Sequence, residues 1–251
     1  MKKLNIAIIG LGNIGSFLFK YLNENKKILT EKNNCIPEVT FVSAKNRKKK
    51  RNIIIAKKQW LNSYLDATKN DDVDLIVELI GGSEGAAKKL VFSALKNKKH
   101  VVTANKALIA KYGDKLSILA EKNSVNLLFE ASVGGGIPII QSIKQGLIAN
   151  QIKQIYGILN GTTNFILSEM EKSNLSFEEM LKIAQKKGYA ESDPTSDING
   201  SDVASKISIL SSICFGSKII NKGFLVEGIN NIELEDIIFA KKLNYKIKLL
   251  A

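Results

Sequence analysis

The sequence predicts an α/β fold, a doubly wound parallel sheet at the N-terminus followed by a second α+β unit. Three observations predict it. Residues 4–9 (LNIAII) are a short apolar run that meets glycines at once, the pattern of a strand buried on both faces of a parallel sheet. From there to residue 131, strand-like and helix-like stretches alternate at short spacing, which is the grammar of a βα sheet. Past Ser132 that grammar changes, so the boundary is placed there, with units 1–132 and 133–251.

Each element follows from local pattern. A helix is expected over about 13–29 after the first glycines, then a β-rich alternating strand at 38–44 (EVTFVSA) and a third buried strand at 73–80 (VDLIVELI). Helices over 84–97 and 105–121 flank a strand at 101–103, and VNLLFEA (125–131) closes the sheet. In the second unit GGGIP opens a helix with Pro138 near its first turn, where a missing N–H is harmless. A strand at 151–159 precedes a helix over 162–172. Ser176 with Glu179 reads as a capping box for a helix that Gly188 ends. The helix 201–215 stops at Gly216, and the last helix, 233–243, ends at Asn244 before a strand at 245–250 whose Tyr245, Ile247 and Leu249 share one face.

Composition excludes several classes. With 251 residues, 45% of them hydrophobic, the chain can bury a core without disulfides. Two cysteines, Cys35 and Cys214, read as reduced thiols and point to the cytoplasm. No run of eighteen apolar residues occurs, and the Lys2-Lys3 start lacks a cleavage site, so neither a membrane span nor a signal peptide is expected. The net charge of +13 raises nucleic-acid binding. Lysine is scattered, however, and no helix-turn-helix or aromatic RNA motif is visible. Only Lys45–Arg51 (KNRKKKR) is a true basic run.

That run bears on a nucleotide. Gly10-x-Gly12-x-x-Gly15 follows a predicted strand and opens a helix, which is where a Rossmann-type domain lets a pyrophosphate approach the backbone amides. An NAD-specific domain usually carries Asp or Glu at the end of the second strand, to hold the ribose 2′-hydroxyl. Here Ala44 is followed by Lys45, Asn46 and Arg47. A carboxylate repels a 2′-phosphate, whereas Lys45 and Arg47 can bind one, so NADP is expected over NAD. The alternative is a solvated loop.

Asp202 and Lys206 are four apart at the start of a helix and face one spot. Taken alone they are an ordinary helical ion pair in the favourable acid-first order. The loop before them (YAESDPTSDING, 189–200) is acidic in a basic protein and brings Glu191, Asp193 and Asp197 toward the same helix start. At this point the sequence resembles the homoserine dehydrogenase family. The matching stretches are IIGLGNIG, VVTANKALIA (101–110), FEASVGGGIPII (129–140), GILNGTTNFIL (157–167) and GYAESDPTSDINGSDVASKISIL (188–210).

The resemblance implies reversible NAD(P)H-dependent reduction of aspartate 4-semialdehyde to homoserine. Lys206 looks like the family's catalytic lysine, and Lys106 like the lysine between nicotinamide and substrate. Glu191 and Asp202 are similar to its substrate-binding acids, and Gly161-Thr162 can offer amides to the substrate carboxylate. Asn13, Ile14 and Gly81 join Gly10, Gly12 and Gly15 as coenzyme contacts. Glu130 resembles the side-chain ligand of a monovalent cation such as Na⁺, with carbonyls of Val133, Gly135 and Ile137. A homodimer is implied too. In two places the chain departs from the family. Gly85 stands where Pro is expected, loosening a helix start, and the chain stops where the family's substrate domain continues, so an incomplete second domain with an exposed apolar edge strand is expected. Two rival readings remain, an inactive remnant and an NADP-liganded regulatory or nucleic-acid-binding protein.

Overall fold

A computed structural model describes residues 1–220 and 222–251. The chain divides into two compact units, Met1–Ile139 and Ile140–Ala251.

In the first unit β1 (Lys2–Ile9) leads through a glycine turn to α1 (Asn13–Glu24), then α2 (Lys26–Asn33) and β2 (Cys35–Ser43). After α3 (Asp66–Lys69) come β3 (Leu75–Glu78), α4 (Ala86–Lys96), β4 (His100–Thr103), α5 (Lys106–Lys122) and β5 (Leu127–Leu128). Among the described residues these strands form one sheet in the order β2-β1-β3-β4-β5, with every pairing parallel. The order reverses between β1 and β3, so the loops leaving those two strands open onto a shared crevice, the usual ligand position in such sheets. The centre of the sheet is apolar because its strands are: Ala7, Ile8 and Ile76 are fully buried. Beyond β2, a parallel bridge between Val42 and Trp60 extends the sheet by one residue.

Two expectations for this unit change in detail. The helix expected over 13–29 divides at Asn25, whose backbone N–H and side-chain amide both donate to the carbonyl of Tyr21, at 2.9 and 3.1 Å. A side chain that bonds back one turn competes with helix continuation. The strand expected over 125–131 shortens to two residues, because Ser132 turns the chain: its N–H and hydroxyl both donate to the Phe129 carbonyl, at 2.9 and 2.6 Å.

Near the boundary Ile139–Gln141 (α6) is a single helical turn that relaxes into a π turn at Ser142–Gly146. The second unit is built on α7 (Gly161–Ser173), α8 (Phe177–Lys186), α9 (Thr195–Ile198), α10 (Ser201–Phe215) and α11 (Leu234–Lys242). Ile166, Leu167 and Met170 of α7 pack with Met180 and Ala184 of α8 and Ile237 of α11. The capping box at the start of α8 forms: Ser176 Oγ accepts from Glu179 N–H at 3.3 Å, and Glu179 Oε2 accepts from Ser176 N–H at 2.9 Å.

The strands expected at 151–159 and 245–250 do not form. Gly157 and Ala251 exchange both backbone hydrogen bonds, at 2.9 and 3.0 Å, but one reciprocal pair is a bridge and not a ladder. The face expected for Tyr245, Ile247 and Leu249 also splits. Ile247 and Leu249 pack on the helical core, while Tyr245 remains 72% exposed. Lys248 anchors this segment by donating to Asn164 Oδ1 (3.0 Å) and Ser168 Oγ (2.5 Å) on α7. Partial burial pushes its ammonium below the usual lysine range, against the opposing pull of the Glu171 carboxylate.

Candidate active site

The glycine turn after β1 has two kinds of glycine. Gly10 has φ +110°, and a Cβ there would lie 2.4 Å from the Leu79 carbonyl oxygen; one on Gly15 would lie 1.9 Å from the Gly10 oxygen. Close packing of turn, helix and neighbouring loop therefore requires both. Gly12 differs, since a Cβ there meets no protein atom within 4 Å. The turn leaves open space at that position, at the start of a helix with no side-chain cap and no acid in its first turn. Backbone amides of Asn13, Ile14 and Gly15 begin that helix, and an anionic pyrophosphate fits such a cradle.

The basic run lies next to it. Gly10 N–H donates to Ser43 O at 2.9 Å, which ties the turn to the end of β2. Lys45 and Arg47 are exposed beyond that end, and Arg47 Cζ lies 4.9 Å from the centre of the Trp60 ring. Among the described residues neither cation makes an ion pair.

Gly81 and Gly82, with φ +85° and +77°, form the turn after β3 on the other side of the crevice. A residue not singled out from sequence holds that turn. Glu78 is fully buried at the end of β3; its Oε1 accepts from the N–H groups of Ile80 (2.8 Å) and Gly81 (3.1 Å), and its Oε2 from the Thr103 hydroxyl (2.5 Å). The Thr103 hydroxyl oxygen accepts from Asn105 N–H at 3.0 Å, and the Asn105 amide donates to Gly82 O at 2.7 Å. Asn105 Oδ1 caps α5 through Leu108 N–H at 3.1 Å. Lys106, the first residue of α5, is thereby fixed to the same framework as the glycine turn. The signal was a charged residue inside an otherwise apolar buried strand. At Gly85, where Pro was expected, φ is +69°, which Pro cannot adopt. The adjoining Glu84 is gripped by Lys111 (2.8 Å), the Tyr112 hydroxyl and Lys88 (3.0 Å), and these donors hold its carboxyl down at about 2.

Glu130 begins a tight turn in which the N–H groups of Val133 and Gly134 donate to its carbonyl, at 3.3 and 3.5 Å. The Ile137 carbonyl accepts from Ile139 N–H at 2.8 Å. Among the described residues no three His, Cys, Asp or Glu side chains are grouped to hold a metal. One carboxylate with backbone carbonyls is a different, all-oxygen donor set suited to a hard cation.

In the second unit Lys206 Nζ donates to Asp202 Oδ2 and to the Leu159 carbonyl, both at 2.8 Å. Its side chain is 18% exposed and that of Asp202 only 6%. An ammonium has three donors, so one remains for a ligand. Asn160 was likewise not singled out from sequence. Its amide bridges Asp197 Oδ1 (2.8 Å) and Asp202 Oδ2 (3.0 Å), while its Oδ1 caps α7 through Thr163 N–H (2.8 Å). An Asn directly before a helix start is an N-cap signature, but its bridging role depends on residues 37 and 42 positions away. Thr162 donates to the Tyr189 carbonyl at 2.7 Å and so ties the acidic loop to α7. Gly161 is exposed, and a Cβ there would meet no protein atom within 4 Å. Among the described residues no hydrogen bond or ion pair ties the Glu191 side chain to this cluster: Gln185 Nε2 donates to its backbone carbonyl at 3.1 Å, and the residue is exposed.

A five-stranded parallel sheet with this glycine turn at its switch point defines the first unit as a Rossmann-type dinucleotide-binding domain, joined to a unit with a clamped lysine. Comparison with known proteins narrows the class. Residues 10–130 match the family model for the NAD-binding domain of homoserine dehydrogenase, and residues 138–251 match that of homoserine dehydrogenase itself. Homoserine dehydrogenases of Neisseria gonorrhoeae and Bacillus subtilis are each 42% identical over 250 residues, all of this chain and 57% and 58% of theirs. A solved homoserine dehydrogenase from Thiobacillus denitrificans superposes with a TM-score of 0.92 at 41% identity, over 100% of this chain and 57% of that one. A hyperthermophilic archaeal homoserine dehydrogenase in complex with NADPH gives 0.77 at 26% identity, over 92% of this chain and 75% of its own. The chain belongs to the homoserine dehydrogenase family. It spans a little under three-fifths of the curated relatives' length.

Proposed function

We propose that the chain carries the machinery for reversible reduction of aspartate 4-semialdehyde to homoserine, with NADPH preferred. The observation that carries this reading is the Lys206 clamp: an ammonium with two donors fixed on Asp202 and Leu159 and one available. Bound NADPH supplies the hydride. Lys206 donates a proton to the aldehyde oxygen as negative charge builds there, and Lys106 is the second cationic residue assigned to the reaction. Asp202 and Glu191 bind the substrate ammonium, and the amides of Gly161 and Thr162 at the start of α7 bind its carboxylate. Gly10, Gly12, Asn13, Ile14, Gly15 and Gly81 receive the coenzyme, and Lys45 and Arg47 read its 2′-phosphate.

Glu130 with the carbonyls of Val133, Gly135 and Ile137 holds a monovalent cation such as Na⁺ in this reading, and its role is to order the turn. The complete enzyme works as a cytoplasmic homodimer. Free thiols at Cys35 and Cys214 support the reducing compartment. NADPH oxidation on addition of aspartate 4-semialdehyde, measured for this chain and for a form of the relatives' full length, tests the proposal. Activity in neither form overturns it.

A further inference from the structure

The chain has a single tryptophan, and it stands beside the coenzyme turn. Trp60 is half-buried against the core under β1 and β2, next to Val42 of β2. Two guanidinium groups gather on its ring, Arg47 Cζ at 4.9 Å and Arg51 Cζ at 5.9 Å from the centroid. They are differently used. Arg51 is committed to the backbone: Nε donates to Leu11 O (3.0 Å), Nη1 to Lys49 O (2.8 Å) and Nη2 to Asn46 O (2.8 Å). Asn46 Oδ1 tightens the same loop by accepting from the N–H groups of Lys48 (3.0 Å) and Lys49 (3.1 Å). Because Leu11 belongs to the glycine turn, Arg51 staples the basic loop to the turn that receives the pyrophosphate. Arg47 is exposed and lies over the indole, and among the described residues its guanidinium makes no hydrogen bond or ion pair. Two like charges on one ring with no carboxylate between them repel, and a doubly charged anion relieves that repulsion.

We propose that Trp60 and Arg51 are positioning residues for coenzyme selectivity: Arg51 fixes the loop, and Trp60 holds the Arg47 guanidinium where the 2′-phosphate of an adenosine arrives. The inference rests on the NADPH reading above and assigns its selectivity to residues that do not themselves read the phosphate. It also separates the run's cations, because Lys48, Lys49 and Lys50 are exposed and solvated and contribute little.

Calorimetric titration of this chain with 2′,5′-ADP and with 5′-AMP tests it, together with Trp60 emission during each titration. The unmodified chain should prefer 2′,5′-ADP, with a change in Trp60 emission that 5′-AMP does not match. Trp60→Leu and Arg51→Met should each reduce the preference about fivefold, whereas Trp60→Phe, which keeps an aromatic face, should retain most of it. Equal binding of the two nucleotides by the unmodified chain overturns the NADPH reading and this inference with it. A preference that survives both Trp60→Leu and Arg51→Met, or one that forms with no change in Trp60 emission, overturns this inference alone. So does loss in Trp60→Phe equal to that in Trp60→Leu. Should Trp60→Leu unfold, Arg51→Met decides the matter, since it removes no core side chain.

Discussion

Lys206→Ala is the sharpest test of the second unit. The side chain makes two short bonds from a position only 18% exposed, and its removal leaves the carboxylate of Asp202, 6% exposed, without its ammonium. Fully buried, that loss is worth several kcal/mol, but Asp202 keeps the Asn160 amide, and water can fill the space a lysine vacates. A destabilisation of about 2 kcal/mol is expected. Loss of the proton donor should lower kcat by about 10²- to 10⁴-fold. NADPH affinity should stay unchanged, because the glycine turn belongs to the other unit. Lys206→Arg separates the two effects: it retains a cation for Asp202, and hence most of the stability, yet cannot serve as a proton donor. The assays are steady-state kinetics in an active form, calorimetric NADPH binding and urea unfolding. More than a tenth of the original kcat in either variant would refute the role given to Lys206.

Gly12→Ala should fold normally but bind NADPH poorly, since its Cβ meets no protein atom, whereas Gly15→Ala should be destabilised because its Cβ would lie 1.9 Å from the Gly10 oxygen; thermal unfolding beside coenzyme titration checks the contrast. The double variant Lys45→Ala, Arg47→Ala should weaken NADPH about tenfold or more and leave NADH almost unchanged, and equal loss for both would show that these residues do not read the 2′-phosphate. Glu84 supplies a pH prediction. Its carboxyl titrates at about 2 in the folded protein against an ordinary 4.5, so the folded state binds fewer protons, and the cluster's contribution is complete above pH 4.5 and fades as pH falls toward 2. Unfolding midpoints across that window should fall less steeply for Glu84→Gln, and added salt should narrow the difference.

The sheet was legible because its strands carry their own evidence. An apolar run that stops at glycines, as at 4–9 and again at 73–80, can be satisfied only in the interior. Caps were equally plain, from Ser176 with Glu179 to Gly216 and Asn244, both of which take positive φ. Alternation misled at 245–250, since inward and outward residues alternate in any extended segment that packs on a core, whether or not a neighbouring strand supplies a ladder. The break at Asn25 depended on which of two competing bonds a side chain makes, and composition does not reveal that. Within the site, Lys206 and Asp202 were readable from their helical spacing. Asn160 and Glu78 were not, because each acts by reaching groups that only the folded chain brings near.

Glu78 divides its two oxygens between two loops, one for the amides of Ile80 and Gly81 and the other for the Thr103 hydroxyl. Such a residue cannot drift alone. A glutamine there keeps its oxygen on the Ile80 and Gly81 amides only by turning its amide group to the Thr103 hydroxyl, which must then accept where it now donates and leave its own proton without that partner, so a change at position 78 is costly unless position 103 changes in step. Among descendants of a common ancestor, positions 78 and 103 should therefore vary together or not at all, and the turn at 80–82 should carry the same history as the start of α5.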